Sequence, residues 1–300
     1  NPDGGATTLS SAFTVNAAPA ATSASPSSRG QGAAQTTVTI TGTGFDSNAT
    51  VSISGTGLTV GSTTFVDAST LTVPVTVSAG ATVGARSVTV TNGDGGTSTT
   101  AGVFTVVAAP VATSASPSSR GQGAALASVA ITGTGFQSGA TVSISGDGLT
   151  VGSTAFTNST TLTVPVTVSS TATVGDRTIT VTNADGGVVT LASGFTVTVA
   201  PAATSASPSN RGQGAAEATV TITGTGFNAS STVSISGTGL TVGSTTFVDS
   251  THLTVPVAVA SNATVAARSV TVTNNDGGTS TAAGVFTVNA APVATSASPS

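Results

Sequence analysis

Short runs that alternate apolar and hydroxyl residues recur along the chain. In residues 37–41, TVTIT, Val38 and Ile40 fall on one side of an extended strand and Thr37, Thr39 and Thr41 on the other. VSIS at 51–54, LTVPVTV at 71–77 and SVTVT at 87–91 have the same two-residue period. Glycine-rich turns separate them: GTGF at 42–45, SGTG at 54–57 and NGDGG at 92–96. No stretch keeps a helical period. The pattern predicts an all-β sandwich of about seven strands. Its core is expected from Val38, Ile40, Phe45, Val51, Ile53, Leu58, Phe65, Leu71, Val73, Val88, Val90, Phe104 and Val106. Pro74 interrupts an otherwise regular strand, and since proline has no N–H to give to a ladder, it is expected at an edge or a bulge.

The whole pattern returns every 91 residues with no insertion or deletion, as Pro26, Pro117, Pro208 and Pro299 of the SASPS segments mark. A fixed period signals an array of structural units, in which a residue kept in every copy describes the unit. Surface-type positions such as Asp46/Gln137/Asn228 vary, while the apolar skeleton and the Gly and Pro punctuation recur. Repeats are expected at 23–113, 114–204 and 205–295. Residues 1–22 match the end of a preceding repeat and 296–300 the start of another, so a longer natural array is expected. The linkers carry proline and no Gly/Ser-rich hinge, which predicts short stiff joints and an extended rod. At ~3.3 Å per extended residue, a strand and its joint span on the order of 40 Å per repeat.

Composition sharpens this picture. Charged residues make up 5% of the chain, and mean hydropathy is +0.37, too apolar for disorder. With no Cys, each unit depends on its own core and on its neighbours. A net charge of −4 over 300 residues offers no basic patch for nucleic acid, and no apolar run is long enough to cross a membrane as a helix.

The order SPSS, VTITGTGF, VSISGTGLTV, STLTVPV, RSVTVTNGDGG and GVFTV resembles the IPT/TIG family of immunoglobulin-like domains, nearly end to end in all three repeats. The resemblance implies tandem immunoglobulin-like β-sandwiches. It also implies a setting such as cell-surface receptors, adhesins or accessory modules of secreted carbohydrate enzymes, and it leaves the function open.

Few residues could carry chemistry. His252 is the sole histidine and replaces Thr70 and Thr161 of the other copies. Only Asp94, Asp185 and Asp276, with Asp3, recur in every copy among the acids, and one such carboxylate per domain makes no acid/base pair. No catalytic residue, cofactor or metal is expected. The NxDGG turns place Asn and Asp two apart, but Ca²⁺ takes six to eight oxygens, and Asp-Gly-Gly suits a tight hairpin. The sequons at Asn48, Asn158, Asn228 and Asn262 sit at non-equivalent positions and read as chance. Rows of Thr suit the wet face of a strand.

The leading expectation is structural: an extracellular or cell-surface stalk, fibre or filament serving as a stiff spacer or polymer. The alternative is an adhesin or carbohydrate-binding array. It has no Trp or Tyr platform here, and the ten Phe fall in core phases. Expected partners are neighbouring repeats of the same chain and, given the low charge, other copies laterally or end to end; no nucleic acid or membrane contact is expected. The recurring charges are expected at the joints, with Arg29 and Arg86 approaching Asp185, and Arg120 and Arg177 approaching Asp276.

Overall fold

The computed structural model describes residues 2–293, and among them every regular element is a β-strand. The first set comprises β1 (Ala20–Ser25), β2 (Ser28–Gly30), β3 (Thr36–Thr43), β4 (Thr50–Ile53), β5 (Leu58–Val60), β6 (Thr64–Asp67), β7 (Thr70–Val77), β8 (Gly84–Thr91) and β9 (Thr97–Val107). The same nine return as β10–β18 over 111–198 and β19–β27 over 202–289. Each set starts three residues ahead of the frame drawn from the sequence, where the phase within a period was free. The segment 296–300, read as the start of a further repeat, lies outside the described residues.

Each set makes two sheets. One has the order β1-β3-β7-β5, with β6 also on β7; the other is β2-β9-β8-β4. This is the immunoglobulin arrangement with its first and fourth strands each split in two, so nine segments do the work of seven. The first split coincides with the cis Ser25–Pro26 bond, where the chain leaves one sheet for the other. The chain divides into two compact units. The first is Asn1–Val111 with the turns Gln137–Gly139 and Thr182–Val189, and the second takes the remaining described residues.

The core follows the two-residue period. Val38 and Ile40 of β3, Leu71 and Val73 of β7, Val88 and Val90 of β8, and Phe104 and Val106 of β9 are fully buried. Burying each such side chain contributes about 1.5–3 kcal/mol before the entropy of ordering it is subtracted. Leu58 and Phe65, expected inside, are only partly buried, because β5 and β6 form the sheet edge and lack a neighbour on one side. Val75 and Val77 complete the inward row of β7, and Ala21, Ala24, Ala33 and Ala81 fill the gaps between larger side chains.

Pro74 corrects its expectation. It lies within β7, between β3 and the edge strands, and not at an edge. The edge strand breaks opposite it: β5 ends at Val60, β6 resumes at Thr64, and the Gly61 N–H donates to the Pro74 carbonyl at 2.8 Å. The missing donor thus faces a gap in the partner strand and costs no ladder bond.

Candidate functional site

The RGQGA loop that recurs at the downstream end of each sandwich grows out of β2 in the first. That strand runs parallel to β9, with Ser28, Arg29 and Gly30 opposite Thr105, Val106 and Val107. Gln31 follows and ties the pole together. Its backbone N–H donates to the Val107 carbonyl (2.9 Å), its side-chain Nε2 donates to the Ala81 carbonyl (2.6 Å), and its Oε1 accepts from the Ala109 N–H of the linker (3.2 Å). Gln122 does the same with Ala172 and Ala200, and Gln213 with Ala263 and Ala291. One side chain therefore fixes the departing linker to its own repeat.

The turn between β8 and β9 is closed by Asn92 N–H to Gly96 O (2.8 Å) and Gly95 N–H to Asn92 O (3.0 Å). Gly95 has φ +87°, a left-handed conformation that disfavours any side chain. The buried Asn92 amide donates to Gly44 O at 2.7 Å, which locks the turn onto the neighbouring loop. Asp94 Oδ1 accepts from the Gly96 N–H (2.9 Å) and Oδ2 from Asn16 Nδ2 (2.9 Å). The Asn16 amide, then the Gly96 N–H, hold this carboxyl below the usual carboxylate range. No group of three or more metal-ligating side chains is assembled among the described residues.

The loop of one repeat meets the turn of the next. Gly30 N–H donates to Asp185 O (3.2 Å) and Val188 N–H to Gln31 O (3.1 Å). The copy one period on has Gly121 N–H to Asp276 O (3.3 Å) and Thr279 N–H to Gln122 O (3.0 Å). The backbones approach so closely that a Cβ on Gly30 would stand 2.7 Å from Gly187 N and from Asp185 Oδ1. The Asp276 carboxylate accepts a hydrogen bond from Thr198 Oγ1 at the end of β18 (Val188–Thr198), as Asp94 does from Asn16. Val107 holds the same position in the first repeat and has no donor. There Asp185 Oδ2 takes Gln137 Nε2 of its own repeat instead (2.7 Å).

Of the six charged residues expected at the joints, the structure brings together Arg29 with the Asp185 turn and Arg120 with the Asp276 turn. Each guanidinium lies over the turn's glycine: a Cβ on Gly186 would be 2.6 Å from Arg29 Nη2, and one on Gly277 2.8 Å from Arg120 Nη2. Neither forms an ion pair with the aspartate among the described residues. Both donate inside their own repeat, to Ala34 O (3.0 Å) and Ala125 O (2.6 Å). Arg86 and Arg177 are not at a joint; they bond Thr82 O and Thr173 O and pack beneath Gly55 and Gly146 of their own sandwich. The long arginine stem finds a local carbonyl, so it needs no partner across the joint. The phenylalanines also depart in part from the core phase expected of them: Phe156 and Phe247 are half-exposed on the edge strands, and Phe13 is exposed.

The model of the IPT/TIG domain matches residues 19–106 and 201–288, together more than half of the chain. The chain belongs to the IPT/TIG family. The two matched TIG segments lie two periods apart and enclose a further copy of the same nine strands. No curated protein sequence matches the chain. Among solved structures, it is similar to the Escherichia coli adhesin FdeC (15% identity, 93% of this chain and 100% of that one, TM-score 0.30). It is also similar to invasin, a bacterial integrin-binding protein (18%, 89% and 58%, TM-score 0.31), and to the I9–I11 tandem of titin (11%, 88% and 96%, TM-score 0.32).

Proposed function

We propose that this segment is a spacer: TIG sandwiches in tandem that make a stiff stalk or filament outside the cell. The reading is carried by the joint. Gln31 and its copies fasten each linker to its own repeat, and paired backbone hydrogen bonds fasten the loops at Gly30–Gln31 and Gly121–Gln122 to the turns that follow them. A fastened joint fixes the angle between neighbours, which a flexible linker leaves free. The low charge and the absence of Cys fit an exposed, redox-indifferent structural surface, and weak repulsion favours lateral packing of copies.

Solution scattering tests it. The wild-type chain is expected to give one well-defined maximum dimension, and the Q31A/Q122A/Q213A triple variant a broader distance distribution with the sandwiches intact. A wild-type chain that scatters as flexible beads would remove the spacer reading. Specific, saturable binding of a glycan by the same chain would put a recognition role in its place.

A further inference from the structure

Gly30 and Gly121 have ordinary backbone angles, so their own conformation does not require glycine. What excludes a side chain is the neighbour. A Cβ on Gly121 would sit 2.9 Å from Gly278 N and 3.0 Å from Asp276 Oδ1, and a Cβ on Gly278 would sit 3.0 Å from Gly121 Cα. Gly30 and Gly187 are matched in the same way, with the Gly187 Cβ position 3.2 Å from Gly30 Cα. Gly212 is the third copy of this position, and a Cβ there meets nothing within 4 Å. Its repeat is otherwise built alike: Asn210, Arg211 and Gly212 pair with Thr287, Val288 and Asn289, and Gln213 makes both its side-chain bonds. The glycine is thus dispensable to the sandwich that carries it and indispensable to contact with the next one.

We propose that the RGQG loop and the DGG turn are a matched docking pair, through which each repeat accepts as its downstream partner only a sandwich with glycine at the last position of that turn. Recognition is by exclusion: two bare backbones approach closely enough for Gly121 N–H to reach Asp276 O and Thr279 N–H to reach Gln122 O, and any side chain on either face holds them apart. The inference deepens the spacer reading and relies on it only for the purpose the docking serves.

The test compares Gly121→Val with Gly212→Val in the full chain by amide hydrogen exchange. In G121V, exchange at Thr279 and residue 121 is expected to rise at least tenfold, while core amides such as Val270 and Phe286 keep their protection. G212V is expected to leave the Thr279 amide unchanged. Because both glycines occupy the same strand environment, G212V also controls for folding of the pole, and Gly278→Ala probes the contact from the other side with a smaller rise. Unchanged Thr279 protection in G121V, or an equal loss of protection in both valine variants, would overturn the proposal. Scattering on the same samples separates the two readings: loss of protection with an unchanged distance distribution supports the docking pair while denying this joint a part in stiffness.

Discussion

Asn92 and Asn274 are buried amides that spend their hydrogen bonds on fixing a turn. Asn274 donates to Gly226 O (2.8 Å) and accepts from Ser231 Oγ (2.6 Å), as Asn92 donates to Gly44 O. Asn274→Ala takes from the buried Ser231 hydroxyl its 2.6 Å acceptor and from the Gly226 carbonyl its donor, and is expected to cost about 1–3 kcal/mol in the third sandwich by denaturant unfolding. A cost below a few tenths would show that the turn holds without its clamp. Asp249 illustrates a charge at the same scale. The Thr251 hydroxyl, then the Thr251 N–H, then His252 lower its carboxyl to about 2. A carboxyl depressed on folding contributes stability that is present above the unfolded carboxylate range and is lost as pH falls through about 2. A carboxyl NMR titration is expected to show a larger upward move of the Asp249 midpoint in T251A than in H252T; the reverse order would assign control to the histidine. The aspartates of the NxDGG turns and the arginine of RGQGA were visible in the sequence as recurring charges. Gln31 recurs just as strictly but is uncharged, and nothing in a strand pattern says that a glutamine will reach across a pole to Ala81.

The strands themselves were the most legible layer, because β3, β7, β8 and the second half of β9 bury every other residue and leave those between half-buried or exposed. The edge was harder to read. β5 and β6 share the partner β7 and are interrupted at 61–63, opposite the proline of the neighbouring strand, where the edge sequence carries only the short Gly61-Ser62 step to mark it. A Cβ on Gly61 would lie 2.6 Å from Pro74 Cγ. Gly61→Ala is therefore expected to cost ~1–3 kcal/mol by overpacking, and adding Pro74→Ala is expected to recover most of it. Additive effects in that double-mutant cycle would mean that the ring and the glycine do not meet. Deep in the same strand, Leu71→Ala is expected to cost ~2–5 kcal/mol, which heat or denaturant would show as early loss of the first sandwich.

Across the whole molecule the 91-residue period announced an array, but the bonds that hold neighbours together are backbone groups with no sequence signature of their own. The joints also differ in one position. Thr198 supplies a hydroxyl to Asp276 and Asn16 an amide to Asp94, whereas Val107 supplies nothing and Asp185 turns to Gln137. Val107→Thr is expected to slow exchange of the Val188 amide several-fold, and Thr198→Val to speed that of Thr279; identical rates in all forms would make the carboxylate contact incidental. The parallel pairing of β2 with β9 carries a further consequence. Tension applied through the chain draws β2 toward its start and β9 toward its end, so the bonds between Ser28–Gly30 and Thr105–Val107 are loaded together along the strand direction. They must rupture as a set and cannot be peeled one at a time, which makes the seam between the first and last strands of each sandwich the element that bears load.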